Sequence, residues 1–264
     1  RLQGDWSSDV CSSDLHREPA LAMPVVIVES DDWSPGPESD AQILRRIVAL
    51  LAGIQDAEGR PAVMTLGVVL GVPDGAAILA DDCHRYHRST LDEPRYAPLV
   101  QAIEQGCAAG VFALQRHGLE HCWPESLLAR ARGDAGLRAW LADPGARTET
   151  LPSPLQSRWV DAEVLPSRSI SDEAIGDAVS QEAALFRCIF GDVPSVAVPN
   201  TFVWTDAVER AWAASGVRCV VTCGRQYEGR AADGGLMPPI RHILNGEVGA
   251  GELRFVVRDA YFEP

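Results

Sequence analysis

The sequence predicts an α/β fold built on a parallel sheet. Short apolar segments alternate along the chain with segments of helical periodicity, and runs of Val, Ile and Ala are typical of strands buried on both faces. Such an alternation favours right-handed βαβ units. The predicted strands span residues 25–28, 62–70, 111–114, 195–198, 217–222 and 253–257.

Segments between these strands have the periodicity of helices, at residues 39–54, 98–108, 125–132, 172–190 and 206–215. Ser171 and Thr205 are suited to cap the N-termini of the last two, and Gly216 to follow the final helix. The Pro-, Ser- and Arg-rich stretch 143–171 is predicted to be a long loop or insertion. The first helix is expected to bury one apolar face, made of Ile43, Leu44, Ile47, Val48, Leu51 and Ile54.

The composition is that of an ordinary globular protein, since 46% of the 264 residues are hydrophobic and 23% are charged. These proportions exclude a disordered, collagen-like or coiled-coil chain. The net charge of −14 and the lack of a basic stripe make nucleic acid and anionic membrane surfaces poor partners. The longest apolar runs fall far short of the ~20 residues that span a bilayer, so no transmembrane helix is predicted.

The segment 5–15, DWSSDVCSSDL, resembles one translated reading frame of a common sequencing adapter. Residues 1–15 are therefore interpreted as a non-native leader, and residues 16–264 as one domain. The natural N-terminus would then be missing, so the compartment stays undecided, with the cytoplasm preferred. The six cysteines outside this leader contain no CxxC pair, and most are expected to be buried thiols.

Adjacent carboxylates follow the first predicted strand, in the run Glu29-Ser30-Asp31-Asp32-Trp33. Neighbouring carboxylates repel each other, so such a pair usually shares a metal ion or a proton. One of the two aspartates would then be a metal ligand and the other a general base. The alternative is that these acids cap a helix or lie solvated in a loop.

Two histidines, His117 and His121, follow the third predicted strand, with Gly118 between them. Imidazoles at this spacing can bind one ion, and a glycine lets the backbone turn tightly between them. The alternative is a pair of surface histidines on a loop. Two imidazoles and one carboxylate together leave coordination positions open for water, as catalytic rather than structural metal sites do.

The pairing of these two motifs resembles the polysaccharide deacetylase family, the nodulation-type carbohydrate esterases. The resemblance implies that Asp31 is the catalytic base and that Asp32, His117 and His121 bind a divalent metal, most often zinc. It also implies a distorted (β/α) barrel of about seven strands. The resemblance extends over residues 25–221 and includes Phe190-Gly191, Pro194, Val198-Pro199-Asn200 and Gly216.

By this resemblance the protein is a metal-dependent hydrolase that removes N-acyl groups, usually acetyl, from a carbohydrate or a related amide. A metal-bound water would attack the carbonyl carbon, Asp31 would take its proton, and the metal would stabilise the oxyanion. Trp33 and Trp123, which lie next to the two motifs, are candidates to line a sugar subsite, although each is equally suited to core packing.

The chain departs from the family pattern in two places. The family has an arginine just before the proline of its third motif, where this chain has Val198 before Pro199. The arginine that orients the base would then be absent or supplied elsewhere, with Arg258 as the candidate. The family's last strand carries a histidine that acts as general acid, and no strand is predicted after residues 253–257. We therefore expect a C-terminally truncated fragment that lacks the last strand, binds metal and catalyses poorly.

Two other functions stay open at this stage. A glycosidase on a related barrel would need a second carboxylate facing Asp31, for which Asp206 and Glu263 are the candidates. A non-catalytic relative that binds carbohydrate or metal would explain the missing arginine. The chain contains no GxSxG, Walker A or GxGxxG motif, which disfavours serine hydrolases, P-loop NTPases and Rossmann dehydrogenases.

Overall fold

The structure, a computed structural model, describes residues 18–19, 21–22 and 25–261, so the predicted leader at 1–15 and Glu263 lie outside the described residues. The strands of the described part are β1 (Val28–Trp33), β2 (Met64–Val68), β3 (Gly71–Pro73), β4 (Arg88–Thr90), β5 (Phe112–Arg116), β6 (Val160–Asp161), β7 (Arg168–Ser169), β8 (Val196–Ala197), β9 (Cys219–Thr222), β10 (Arg225–Gln226), β11 (Arg241–His242) and β12 (Arg254–Val257).

The helices that accompany these strands are α1 (Glu38–Ala52), α2 (Gly75–Ala80), α3 (Ala97–Ala108), α4 (Pro124–Ala131), α5 (Ala135–Ala142), α6 (Asp172–Phe190) and α7 (Asp206–Ala214). None of the described helices is long and apolar enough to cross a bilayer. One apolar cluster packs α1 and α3 on β2 and β5, and a second packs α6 and α7 on β9 and β12.

Six parallel strands form one sheet in the order β1-β2-β5-β8-β9-β12. Each of the six predicted strands contributes one of these six, so the prediction of an α/β fold with a parallel sheet is confirmed. The remaining strands form the antiparallel pairs β3–β4, β6–β7 and β10–β11. No seventh strand joins the parallel sheet within the part of the chain that the structure describes.

The sheet curls into a half-barrel. Five inter-strand steps would separate the edge strands β1 and β12 by about 24 Å in a flat sheet. Yet Arg258, the residue directly after β12, is hydrogen-bonded to the carboxylates of Glu29 and Asp31 on β1, at 2.6–3.0 Å. The carboxyl ends of all six strands therefore surround one region, where a parallel sheet normally places its functional groups.

The first strand lies later in the sequence than predicted. It starts at Val28, where pairing with Met64 of β2 begins, and the predicted residues 25–27 are exposed and precede it. The predicted strand 25–28 is therefore wrong in its bounds, because apolar character alone does not reveal where the partner strand begins. As a result, Asp31 and Asp32 belong to the strand itself rather than to a loop after it.

The helix predictions need smaller corrections. Helix α1 buries Leu44 and Leu51, but Ile43 and Ile54 of the predicted apolar face are exposed. The sequence does not predict the short helices α2 and α5, which have six and eight residues. The stretch 143–171 is largely a loop, as predicted, and contains the 3₁₀ turns Thr148–Thr150 and Ser153–Gln156 and the β6–β7 hairpin.

The described cysteines are all free thiols, but the prediction that most of them are buried is wrong. Cys83 and Cys122 are buried and Cys188 is exposed, while the others are half-buried. Cys219 lies on β9, and Cys223 directly follows that strand.

Substitution of Gly106 in α3 tests how tightly the first apolar cluster is packed. A Cβ added at Gly106 would lie 2.0 Å from the ring of Phe112 on β5, whereas one added at Gly176 in α6 meets nothing within 4 Å. We expect Gly106→Ala to destabilise the protein by about 1–3 kcal/mol through overpacking. The matched change Gly176→Ala should stabilise it by about 0.5–1 kcal/mol, as removal of a helical glycine normally does. Urea unfolding measures both, and two stabilising changes would contradict this packing.

Candidate active site

A β-bulge at the end of β1 presents the two aspartates. Ser30 pairs with Leu66 and Trp33 with Val68, so two residues of β1 stand opposite one residue of β2. Asp32 within the bulge has a φ of +66°, a left-handed conformation that aspartate tolerates better than most residues. The residue opposite is Gly67, where a Cβ would lie 2.6 Å from Asp31 Oδ1. The absence of a side chain there makes room for Asp31.

The two histidines lie on the turn that follows β5. Gly118 has a φ of +94°, which lets this turn bend sharply between them. Neighbouring elements fix the turn through three hydrogen bonds. Val198 O accepts from His117 Nδ1 at 2.9 Å, Asn200 Nδ2 donates to His117 O at 2.8 Å, and the amide of Gly118 donates to Glu182 Oε1 at 2.9 Å.

The bulge and the turn bring Asp32, His117 and His121 together. Asp32 Oδ1 lies 3.1 Å from His117 Nε2 and 3.2 Å from His121 Nε2, and one ligand atom from each residue lies within 4.8 Å of the others. Both histidines are buried, and Asp32 is half-buried. The three residues predicted as metal ligands therefore converge on one point.

The chemistry of these donors fits a divalent cation. A carbonyl oxygen can only accept, so Nδ1 of His117 carries a proton toward Val198 O, which leaves Nε2 of a neutral imidazole with a lone pair. That lone pair faces the carboxylate of Asp32, and two electron-rich atoms at 3.1 Å need a proton or a cation between them. A backbone carbonyl that accepts a hydrogen bond from the second ring nitrogen, and so fixes the tautomer, is typical of metal-ligating histidines.

In the metal-free protein a proton takes the place of that cation. Burial acts to lower the pKa of His117, but the hydrogen bond to Asp32 and the charges of Asp31 and Asp32 outweigh it and raise that pKa to about 9. Burial acts to raise the pKa of Asp32, yet His117, His121 and Arg147 hold it far below its ordinary value. Burial lowers the pKa of His121, and the neighbouring His117 lowers it further.

Arg258 holds Asp31 in a two-pronged ion pair. Its Nη1 lies 2.6 Å from Asp31 Oδ2 and its Nη2 lies 3.0 Å from Asp31 Oδ1, while its Nε donates to Glu29 Oε2 at 2.7 Å. Glu29 Oε1 in turn accepts from Gln115 Nε2 of β5 at 2.7 Å. Arg258 therefore lies beside the predicted base, Asp31. It supplies the arginine that is missing before Pro199 in the third motif.

A cavity of about 360 Å³ opens in front of the two aspartates. It is lined by Asp31, Asp32, Trp33, Asp40, Ile43, Arg147 and Glu149. Sequence analysis did not identify Asp40, Arg147 or Glu149 as site residues. Arg147 and Glu149 lie on the predicted loop, where no periodicity indicates which side chains face the protein interior. Only the tertiary fold brings that loop to the carboxyl end of β1.

The predicted substrate-binding tryptophans occupy different environments. Trp33 lines the cavity, packs against the first apolar cluster and donates from Nε1 to Ser30 Oγ at 3.1 Å. Trp123 lies beneath the guanidinium of Arg158, 4.9 Å from ring centroid to Cζ, and does not line this cavity. Asp206, a candidate second carboxylate for a glycosidase, begins α7 and does not line it either.

Comparison with known proteins gives distant structural likenesses only. No family model and no curated protein matches the chain. The chain is similar to a solved de-N-acetylase from Aggregatibacter actinomycetemcomitans, with 13% identity over 74% of this chain and 62% of that one, at a TM-score of 0.37. It is also similar to IcaB from Ammonifex degensii, with 12% identity over 83% of this chain and 91% of that one, at 0.33. The chain thus spans about three fifths of the length of the first structure, and neither likeness assigns a function to it.

Removal of the Arg258 ion pairs measures how much the stability of the half-barrel depends on them. Arg258→Gln leaves the carboxylates of Glu29 and Asp31 partly buried without their counter-charge, so we expect a loss of about 3 kcal/mol in the free energy of unfolding. Arg60→Gln, which breaks an ion pair whose arginine is 73% exposed, should cost far less, because solvent screens an exposed pair. Equal losses in the two variants, measured by urea unfolding at one pH, would contradict the expectation.

Metal-free protein should lose stability between pH 6.5 and 9. The pKa of His117 is raised from about 6.5 in the unfolded chain, so its contribution is complete below pH 6.5 and is lost as the pH rises through about 9. We expect the stability advantage of wild type over His117→Asn to fall by at least about 1 kcal/mol, the equivalent of roughly one pKa unit, between pH 6 and 9.5. Unfolding in chelator measures it, with His84→Asn as a control, and an advantage that is constant with pH would contradict the raised pKa.

Proposed function

We propose that the protein is a metal-dependent hydrolase that removes N-acyl groups from a carbohydrate or a related amide. The observation that carries this proposal is the convergence of Asp32, His117 and His121 on one point, beside a separate carboxylate held by an arginine. A structural metal site closes its coordination with four protein ligands, whereas three ligands next to an open cavity suit a catalytic site.

Asp32, His117 and His121 are the residues that would hold the metal, one through Oδ1 and two through Nε2. Two imidazoles and one carboxylate form a donor set that zinc accepts, and the same set is open to other first-row divalent ions. When bound, such an ion lowers the pKa of water and polarises a carbonyl oxygen. The carbonyl of Val198 and the amide side chain of Asn200 keep His117 oriented for this role.

Asp31 is the proposed general base. Its carboxylate lines the cavity next to Asp32, and its two oxygens are fixed by Arg258. Each oxygen keeps a further lone pair, so the ion pair with Arg258 orients Asp31 without preventing it from accepting a proton from water. The proton acceptor and the predicted ligand are adjacent in sequence, and the bulge directs the two side chains to different partners.

The cavity and the motif resemblance both support the proposed substrate class. A volume of about 360 Å³ is in the range of small-molecule sites, and the lining is dominated by charged side chains with Trp33 as its aromatic member. Such a lining suits a polyhydroxylated ligand better than an apolar one. An N-acetylated sugar combines the hydroxyl groups for this surface with an amide for the proposed chemistry.

The test combines metal content with amide hydrolysis. Purified wild type should bind about one divalent ion per chain, and Asp32→Ala, His117→Ala and His121→Ala should each lose it, because two remaining ligands hold a metal poorly. Asp31→Asn should keep the metal but release acetate from N-acetylglucosamine oligomers about 10²–10⁴-fold more slowly, the usual contribution of a general base.

The control for these variants is His84→Ala, which removes an exposed histidine outside the cluster and should retain metal and activity. Metal content is measured by mass spectrometry and acetate release by an enzymatic assay. A folded wild type that binds no divalent ion at millimolar concentration would rule out the proposed function.

A further inference from the structure

Cleavage of an amide needs a proton donor as well as a proton acceptor, and only the acceptor, Asp31, has been assigned so far. An amine leaves as a neutral molecule only if its nitrogen receives a proton as the C–N bond breaks. Asp31 accepts a proton in the proposed reaction, and Asp32 and the two histidines are committed to the metal. A second proton donor facing the same cavity would protonate the nitrogen without requiring Asp31 to return the proton that it has accepted.

Glu149 lines the same cavity from the loop that follows α5. It belongs to the 3₁₀ turn Thr148–Thr150 and lines the cavity together with Asp31 and Asp32. Its side chain is 32% exposed, and Oε2 is buried without a hydrogen-bond partner among the described residues. A buried carboxyl oxygen that makes no hydrogen bond is costly unless a ligand or a proton satisfies it.

The turn holds Glu149 in a fixed position. Gln156 Nε2 donates to the carbonyl oxygen of Glu149 at 3.0 Å and to that of Leu151 at 2.7 Å. Trp140 Nε1 donates to Thr150 Oγ1 at 2.9 Å, which ties the turn to α5. Catalytic groups need such support, because small displacements of a reacting group cost much of its rate contribution.

The surroundings favour the protonated form of this carboxyl more than water does. Without a bound metal, burial raises the pKa of Glu149, and the negative charges of Asp32 on β1 and Asp40 on α1 raise it further. A cation held by Asp32 would offset the charge of that carboxylate, so burial is the main cause that persists when metal is bound. A backbone hydrogen bond and the cation of Arg147 act in the opposite direction. Nε of Arg147 lies 3.7 Å from Glu149 Oε2, beyond hydrogen-bond distance. Nη1 of the same arginine donates a hydrogen bond to Asp40 Oδ2 at 2.9 Å.

We propose that Glu149 is the general acid that protonates the leaving nitrogen, an inference that rests on the proposed hydrolase function. The oxygen of a water molecule bonds to the carbonyl carbon while one water proton passes to Asp31. The C–N bond then breaks, its electron pair goes to nitrogen, and the proton of Glu149 joins that nitrogen. A carboxylic acid and an amine result, after which Asp31 loses its proton to solvent and Glu149 regains one from solvent.

The test compares substrates whose leaving groups differ in their need for a proton. Glu149→Gln should lower kcat for an N-acetylated amino sugar by about 10²–10⁴-fold. The same variant should hydrolyse 4-nitrophenyl acetate at nearly the wild-type rate, because 4-nitrophenolate leaves without protonation. The alkaline limb of the kcat–pH profile should be absent for any residual amide hydrolysis. Glu163→Gln, which changes an exposed glutamate on the same long loop, is the matched control and should behave as wild type on both substrates.

Two further measurements do not depend on activity. The metal content of Glu149→Gln should equal that of wild type, which separates a proton donor from a metal ligand. In ¹³C-labelled metal-loaded protein, the carboxyl resonance that disappears in Glu149→Gln should titrate above the ordinary glutamate value of about 4.3.

Several outcomes overturn this role for Glu149. Undiminished amide hydrolysis in the variant, an equal loss on both substrates, a loss of metal, or an ordinary carboxyl titration would each do so while leaving the hydrolase function in place. A wild type that binds metal and cleaves the aryl ester but no amide overturns the proposed function itself, and the role of Glu149 with it.

Discussion

The contact between Arg258 and the carboxylates of Glu29 and Asp31 joins the two edges of an open sheet through side chains alone. Backbone hydrogen bonds connect each strand of the parallel sheet to the next, from β1 through to β12. In the described structure, no backbone hydrogen bonds pair the two edge strands β1 and β12 with each other. One guanidinium thus supports two properties at once. It keeps the strand ends gathered around a common region, and it fixes the carboxylate to which we assign proton transfer, so the stability of the half-barrel and the geometry of the site depend on the same residue.

A second buried charge pair supports the other half of the site. Arg116, at the end of β5, is paired with Glu182 of α6 at 2.7 Å, and both side chains are almost fully buried. The second oxygen of Glu182 accepts the amide of Gly118. A buried pair is a poor source of net stability, yet it imposes one arrangement on the groups around it. Here that arrangement is the turn on which both histidines lie, which is how α6 contributes to a site that it does not line.

The sequence predicted the six strands of the parallel sheet and the two central motifs, because both depend on residues that lie close together in the sequence. Runs of Val and Ile mark buried strands, and the paired aspartates and histidines follow two of them at short range. The bulge at Asp32, the bridge from Arg258 to Glu29 and the placement of Glu149 leave no such trace. Each depends on which strand pairs with which, or on how a loop without periodicity folds back, and residues far apart in the sequence determine the result.

The left-handed backbone of Asp32 limits how this centre can change during evolution or design. Among the side chains that bind metals, aspartate, asparagine and histidine enter this conformation with least strain, whereas cysteine and glutamate lack that advantage. An exchange of Asp32 for histidine would therefore preserve the bulge and give an all-imidazole centre of altered charge. An exchange for cysteine would add strain of about 1–2 kcal/mol at that backbone position. The backbone torsion at position 32 thus favours some ligand exchanges over others, in addition to the chemistry of the ligands themselves.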